Sequence, residues 1–213
     1  MRAFKISAAL VTTLLTAIGC NGIFGGIYDE VDAATGSTYG FIEQDHDRRG
    51  GTIFVDAQSY EHWFYLDFHN HILDSSNIIH GDSEPPQWDI ALHRYDVKTN
   101  GGEAAETQYN DVDDVYLPNT ETLDYEADIY DSVVVDMSTM MQGYLGRCAS
   151  PVNRVLSRWL NVNTSEMPPI YTLSHKVYIV RFADRTRAAL LFSNYMNEAS
   201  QKGYITIKYR YPL

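Results

Sequence analysis

Four of the six methionines of this 213-residue chain fall in two short stretches. Met137, Met140 and Met141 lie in "DMSTMMQGYLGRC", and Met167 precedes two prolines in "TSEMPPIY". Their neighbours are Ser, Thr, Gly and Pro rather than a long apolar run. A thioether is an adaptable filler of irregular core gaps. It is also a soft donor able to ligate a metal centre. On residue pattern alone both readings stay open for Met141 and Met167, and for Met140 as the neighbour one position away. Pro168 and Pro169 restrict the backbone beside Met167, which lowers the entropy lost when a loop orders around a ligand. Gly143 and Gly146 leave room for a ligand to approach the chain.

Other candidate ligands are weaker. His69 and His71 in "HNH" would share one face of a strand and could bind zinc, although a solvated strand end is the expected reading. His93 in "WDIALHRY" shares its parity with Asp89 and Ala91, which points to a structural hydrogen bond. His80 and His175 have no partner pattern. Asp111, Asp113 and Asp114 resemble a fragment of a calcium loop but lack its glycine and closing glutamate, so they read as a solvated acidic face. No Gly-x-Ser-x-Gly, His-Glu-x-x-His or phosphate-loop motif occurs, and the expected function is binding rather than catalysis.

The elements that hold these residues start after a leader. "MRAFKISAALVTTLLTAIGC" has two basic residues, an apolar run from Ile6 to Ile18 and a small-residue boundary, the parts of a secretory signal over residues 1–19. Its 13-residue apolar run falls short of the roughly 20 residues of a membrane-spanning helix. "TAIGC" resembles the lipobox of bacterial lipoproteins, so Cys20 is expected to be acylated. With only two cysteines, the competing assignment is a Cys20–Cys148 disulfide. The boundary position favours lipid and leaves Cys148 a lone, buried thiol. Without Arg2 and Lys5 the chain carries 14 basic against 28 acidic residues, a balance unsuited to nucleic acid or an anionic membrane surface.

Residues 20–51, rich in Gly, Asp, Ser and Thr, read as a tether, and residues 52–213 as one domain. There, "TIFVDA", "EHWFYLDFH", "WDIALHRYDV", "DSVVVDM", "HKVYIVRFAD", "AALLFSNY" and "GYITIKYRY" are short β-branched and aromatic runs between turn residues. In the last, Ile205, Ile207, Tyr209 and Tyr211 share one face, opposite Thr206, Lys208 and Arg210. The expected fold is all-β, mostly antiparallel, with one or two short helices. "SPVNRVLSRWL" predicts a helix, with Ser150 as cap, Pro151 first, and Val152, Val155, Leu156, Trp159 and Leu160 on one face.

Four stretches together resemble the HmuY-like haem-binding lipoproteins of Bacteroidota: "YEHWFYLDF", "WDIALHRYDVKTNGG", "WLNVNTSEMPPIYTLSHKVYIVR" and "KGYITIKYRYP". The Trp88-Asp89 and Lys98-Thr99-Asn100 elements are the most specific. The resemblance implies the HmuY-like fold and a lipoprotein anchored in the outer membrane, at the cell surface or released. It implies capture of haem, which could come from host haem proteins, and delivery to a TonB-dependent outer-membrane receptor. Family members bind iron through two histidines or two methionines. The interval from Met137 to Tyr171 contains no histidine, so the resemblance is to the methionine branch, with Met141 and Met167 as the implied axial pair. Tyr171, Tyr144 and Trp159 could stack on the porphyrin, although Trp159 on a helical apolar face would be core. The competing reading is an acidic β-sandwich lipoprotein that binds a glycan or a protein partner and keeps its methionines in the core.

Overall fold

The structure is a computed structural model and describes residues 38–43, 49–165 and 168–213. Fifteen strands follow one another: β1 (Gly40–Glu43), β2 (Gly50–Asp56), β3 (His62–Asp67), β4 (Ile72–Asn77), β5 (Ile90–His93), β6 (Asp96–Thr99), β7 (Glu103–Glu106), β8 (Glu126–Ala127), β9 (Ile129–Asp136), β10 (Gly146–Val152), β11 (Leu160–Asn163), β12 (Ile170–Leu173), β13 (Val177–Arg181), β14 (Arg187–Met196) and β15 (Lys202–Arg210). All pairings are antiparallel. A seven-stranded sheet has the order β1-β2-β15-β14-β13-β7-β8, and a four-stranded sheet the order β4-β3-β5-β6. The β9–β10 and β11–β12 hairpins are two-stranded sheets of their own.

Strand parity explains the layering. On β13, Tyr178 and Val180 enter the main core, whereas Val177 and Ile179 point the other way into a second cluster with Val112, Tyr109 and Tyr125. On β3 and β5, Leu66, Ile90 and Leu92 face the main core, whereas Trp63, Tyr65 and Ala91 face Val133, Val135 and Val152 of the β9–β10 hairpin. Four layers therefore stack: the 107–125 segment, the large sheet, the small sheet and the β9–β10 hairpin. Both sheets are covered on two sides, which is why β5 and β13 read as unbroken apolar runs rather than alternating ones. In β15 the expected face is buried at Ile205, Ile207, Tyr209 and Tyr211. Lys208 opposite is exposed, but Thr206 is buried as well.

Three expectations change. The interval read as tether contains β1, which pairs with β2 at the edge of the large sheet, and Phe41 packs edge-on against Phe68 and Tyr209. The predicted helix over 150–160 is absent. Ser150 and Pro151 belong to β10, and only a 3-10 turn at Leu156–Trp159 follows. Asn153 sets the start, because its backbone N–H donates to the carbonyl of Val97 and its side-chain oxygen caps the Leu156 N–H, so the turn begins there and not at Ser150. The apolar set is buried all the same, but split, with Val152 under the β9–β10 hairpin and Val155, Leu156, Trp159 and Leu160 in the main core. Cys148 is half-buried rather than buried. The helical content of the described residues is four 3-10 turns, and none of their helices is long and apolar enough to cross a membrane.

The Lys98-Thr99-Asn100 element closes the small sheet against its hairpin cover. The Lys98 ammonium is 4% exposed and pairs with the Glu84 carboxylate. It lies 4.5 Å from the Trp63 ring centroid and 5.0 Å from that of Trp88, a desolvated cation over aromatic faces. Asn100 donates from its side chain to the carbonyl of Trp88 and from its backbone to that of Asp89. His93, 1% exposed, meets the carbonyl oxygen of Tyr60 through Nε2 at 2.8 Å, the structural hydrogen bond its parity suggested.

Burial pushes the Tyr65 hydroxyl up to about 12, against the contrary effect of a hydrogen bond from Ser76, and pushes Tyr178 up to about 12 likewise. A raised folded-state pKa stabilises the fold fully below the ordinary value near 10 and ceases to do so as pH rises through about 12. A spectrophotometric titration should therefore show a group of buried tyrosines, Tyr65, Tyr178 and Tyr95 among them, ionising late, with loss of near-UV dichroism as pH rises beyond ~10. Complete tyrosine ionisation near pH 10 in a still-folded chain contradicts the packing described.

Candidate functional site

The β9–β10 hairpin carries Met140 and Met141 at its tip. Its loop is tied by short bonds: Ser138 donates from its N–H and its hydroxyl to Asp136, Gln142 N–H donates to the Thr139 carbonyl, and Gly143 N–H to that of Met140. The Ser138 N–H, then its hydroxyl, hold the Asp136 carboxyl below its ordinary pKa. Gly143 ends the turn at φ 83°, where a side chain would be strained. At Gly146, where the register shifts, an added Cβ would stand 2.7 Å from that of Asp136. Both glycines thus serve the turn itself before any ligand.

The tip presents apolar and soft groups to solvent. Met141 is 91% exposed, Tyr144 72%, Met140 48% and Leu145 42%. None of the four enters a core cluster. Met141 therefore packs nothing, and core filling does not account for it. Met196, by contrast, is a core residue.

The second segment is the β11–β12 hairpin. Its strands pair from Leu160 with Leu173 to Asn163 with Ile170, and Asn163 Oδ1 accepts from the Ser165 N–H and hydroxyl at the start of the turn. Met167 and Cys20 lie outside the described residues. Ile170, three residues beyond Met167, is 45% exposed. Tyr171 roots the hairpin: it stacks on Tyr195 with centroids 5.5 Å apart and meets Tyr95 edge-on, with the Lys202 ammonium 3.7 Å from its ring centroid. Trp159 is fully buried, stacks on Phe192 at 4.8 Å and donates its indole N–H to the Tyr95 carbonyl, so it is core and not a stacking platform.

One carboxylate sets the base of the first hairpin. Asp128, just before β9, accepts from the Thr99 N–H at 2.7 Å, the Thr99 hydroxyl at 2.9 Å and the Asn153 side-chain amide at 3.1 Å. Asn153, completely buried just past β10, also donates to the carbonyl of Glu126. Both ends of the hairpin are thereby fastened to the end of β6. Sequence reasoning named Met140, Met141 and Tyr144 at the tip but missed Leu145 and Ile170, whose signal was an apolar residue flanking a turn. It also missed Asp128 and Asn153, which look like ordinary polar loop residues.

A family model described as HmuY protein matches residues 59–209. The chain belongs to the HmuY family. A Bacteroides vulgatus protein assigned as an HmuY-like haem-binding protein is 43% identical, with a TM-score of 0.76 over 83% of this chain and 99% of its own. A Bacteroides fragilis protein assigned as a lipoprotein is 44% identical, with a TM-score of 0.74 over 82% of this chain and 96% of its own. The apo HmuY analog of Tannerella forsythia is 25% identical, with a TM-score of 0.64 over 75% and 94% of the two chains. Among curated proteins none matches. The HmuY match spans the small sheet, both hairpins and most of the large sheet.

Two substitutions separate scaffold from tip. Asp128→Ala strands three donors at a half-buried site and should lower stability by about 2–4 kcal/mol in denaturant unfolding. Met141→Ala removes a side chain that touches no core and should change stability by less than about 0.5 kcal/mol. A clear drop in melting temperature for Met141→Ala would return that residue to a packing role.

Proposed function

We propose that this HmuY-family protein captures haem between Met141 and Met167, as a lipoprotein anchored at Cys20 that hands its cargo to a TonB-dependent outer-membrane receptor. The observation that carries the reading is the 91% exposure of Met141 on a tightly hydrogen-bonded turn. A protein gains nothing from holding a thioether in water unless something comes to cover it. Covering side chains such as Met141, Tyr144 and Leu145 with a flat apolar ligand returns on the order of 1.5–3 kcal/mol for each one fully buried.

The donor set fits the cargo. Haem iron offers two axial positions on opposite faces of a planar ring, so a clamp takes one donor from each of two segments. The two hairpins are separate sheets, each rooted in the body by its own contacts, which suits them to supply one donor apiece. Thioether ligation favours reduced iron relative to imidazole. It also carries no proton, whereas protons compete with iron for a histidine ligand as pH falls. Met140, beside Met141 in the same turn, is the alternate donor. The haem-binding assignment of the Bacteroides vulgatus relative and the lipoprotein assignment of the Bacteroides fragilis one support the same reading.

Titration of the purified protein with haem under dithionite should give a sharp low-spin spectrum that persists under mild acid. Met141→Ala and Met167→Ala should each weaken binding at least tenfold, about 1.4 kcal/mol, while His80→Ala leaves it unchanged. A colourless reduced protein, or full binding by the double methionine variant, overturns the assignment.

A further inference from the structure

We propose that Asp67, His69 and Asp89 form a binding site for a first-row divalent transition-metal ion, built from residues other than the methionines. Asp67 ends β3, His69 follows it by two residues, and Asp89 immediately precedes β5. His69 Nδ1 lies 3.2 Å from Asp89 Oδ2 and 4.0 Å from Asp67 Oδ1. The three ligand atoms all lie within 4.8 Å of one another. A tetrahedral ion with bonds of 2.0–2.1 Å holds its donors about 3.3 Å apart. The His69–Asp89 separation already meets that spacing, whereas Asp67 Oδ1, 4.0 Å from Nδ1, would have to move inward.

The surrounding bonds orient these donors. Asp184 Oδ2, in the turn between β13 and β14, stands 2.9 Å from His69 Nε2. His69 therefore meets a carboxylate through each ring nitrogen; a metal ion at Nδ1 would displace the proton shared with Asp89 while Asp184 keeps the Nε2 proton, the arrangement by which an outer carboxylate fixes a metal-bound imidazole. The Phe68 N–H donates to Asp89 Oδ2, and the His69 and Asn70 N–H groups donate to Asp67 Oδ1. The Asn70 side-chain amide also donates to Asp67 Oδ2 at 2.7 Å, so Asp67 keeps less acceptor capacity than Asp89. The Asp67 and Asp89 side chains are only 6% and 11% exposed, so two negative charges sit largely out of water around one imidazole. Anions in that setting are stabilised by a cation among them, a part the His69 imidazolium plays in the metal-free chain and a divalent ion would play on displacing its Nδ1 proton.

Access is provided. A polar cavity of about 380 Å³ opens above the three ligands, with Asn70, Gln87, Asn100 and Asp184 on its walls. Water or a polar ligand can take the fourth position from there. One imidazole nitrogen with carboxylate oxygens suits zinc, manganese or cobalt better than calcium, which takes six or more oxygens. His71, the other histidine of the "HNH" motif, does not contribute: it has φ 55° and stacks on Phe41.

Calorimetric titration of the full chain with zinc alone, without haem, should show one site. His69→Gln should weaken it at least tenfold, whereas His80→Gln and Met141→Ala should leave it intact. Asp184→Asn should weaken it by about tenfold through the outer bond alone. Cobalt(II) gives a second readout, with visible d–d bands of tetrahedral intensity in the wild type that His69→Gln abolishes while circular dichroism shows the variant folded. Zinc uptake unchanged in His69→Gln, or no uptake by the wild-type protein, overturns the proposal.

Discussion

The carboxylate of Asp128 is the joint on which the arrangement turns. It accepts from the backbone and hydroxyl of Thr99 and from the side chain of Asn153. A two-stranded hairpin standing alone in water is marginal, since it lacks a sheet on which to bury a face. Here β9 and β10 lay Val133, Val135 and Val152 on Trp63, Tyr65 and Ala91, and the Asp128–Asn153 bonds fix where that sheet begins. A rigid base lets a short, tied turn carry Met141 into solvent. A loose base would let the same apolar tip fold back onto the body.

The same economy explains the Lys98 element. A lysine almost free of solvent is costly unless its charge is answered. Glu84 supplies the counter-charge and Trp63 and Trp88 supply ring faces, so the cation becomes a fastening between the small sheet and its hairpin cover. Trp88, Lys98, Thr99 and Asn100 are therefore scaffold chemistry. They hold the base and the underside of the β9–β10 hairpin, whereas Met140 and Met141 stand at its tip.

Much of the fold was legible because strand parity is a local property. The alternation of "YITIKYRY" named the buried face of β15, and the apolar runs over β5 and β13 named strands even though they could not say that two different cores claimed their two faces. The segment from Ser150 to Leu160 was misread for a matching reason. Val152, Val155, Leu156, Trp159 and Leu160 recur at helical spacing, but they serve two clusters on either side of a chain that changes direction at Asn153. Spacing cannot distinguish one face seen by one core from two short pieces seen by two. Asn153 held a clue, as a favoured helix cap three residues inside the span read as helix.

The candidate sites divide likewise. Turn composition drew attention to Met140 and Met141, but residue pattern alone left core packing and ligation both open, and the resemblance to the HmuY-like proteins was what favoured ligation. Whether they pack or protrude was not in the sequence, because exposure depends on where the hairpin base is pinned, through Thr99 and Asn153, which lie far from Asp128 along the chain. His69 shows the reverse. Its neighbour His71 was the partner that sequence suggested, yet His71 turns away onto Phe41 at a positive φ. The groups that meet His69 also include Asp89 and Asp184, brought from β5 and the β13–β14 turn by packing of the two sheets. Side-chain chemistry and strand parity belong to the sequence by itself. Which distant groups share a site was decided only in three dimensions, because sheet pairing sets distances that chain separation does not.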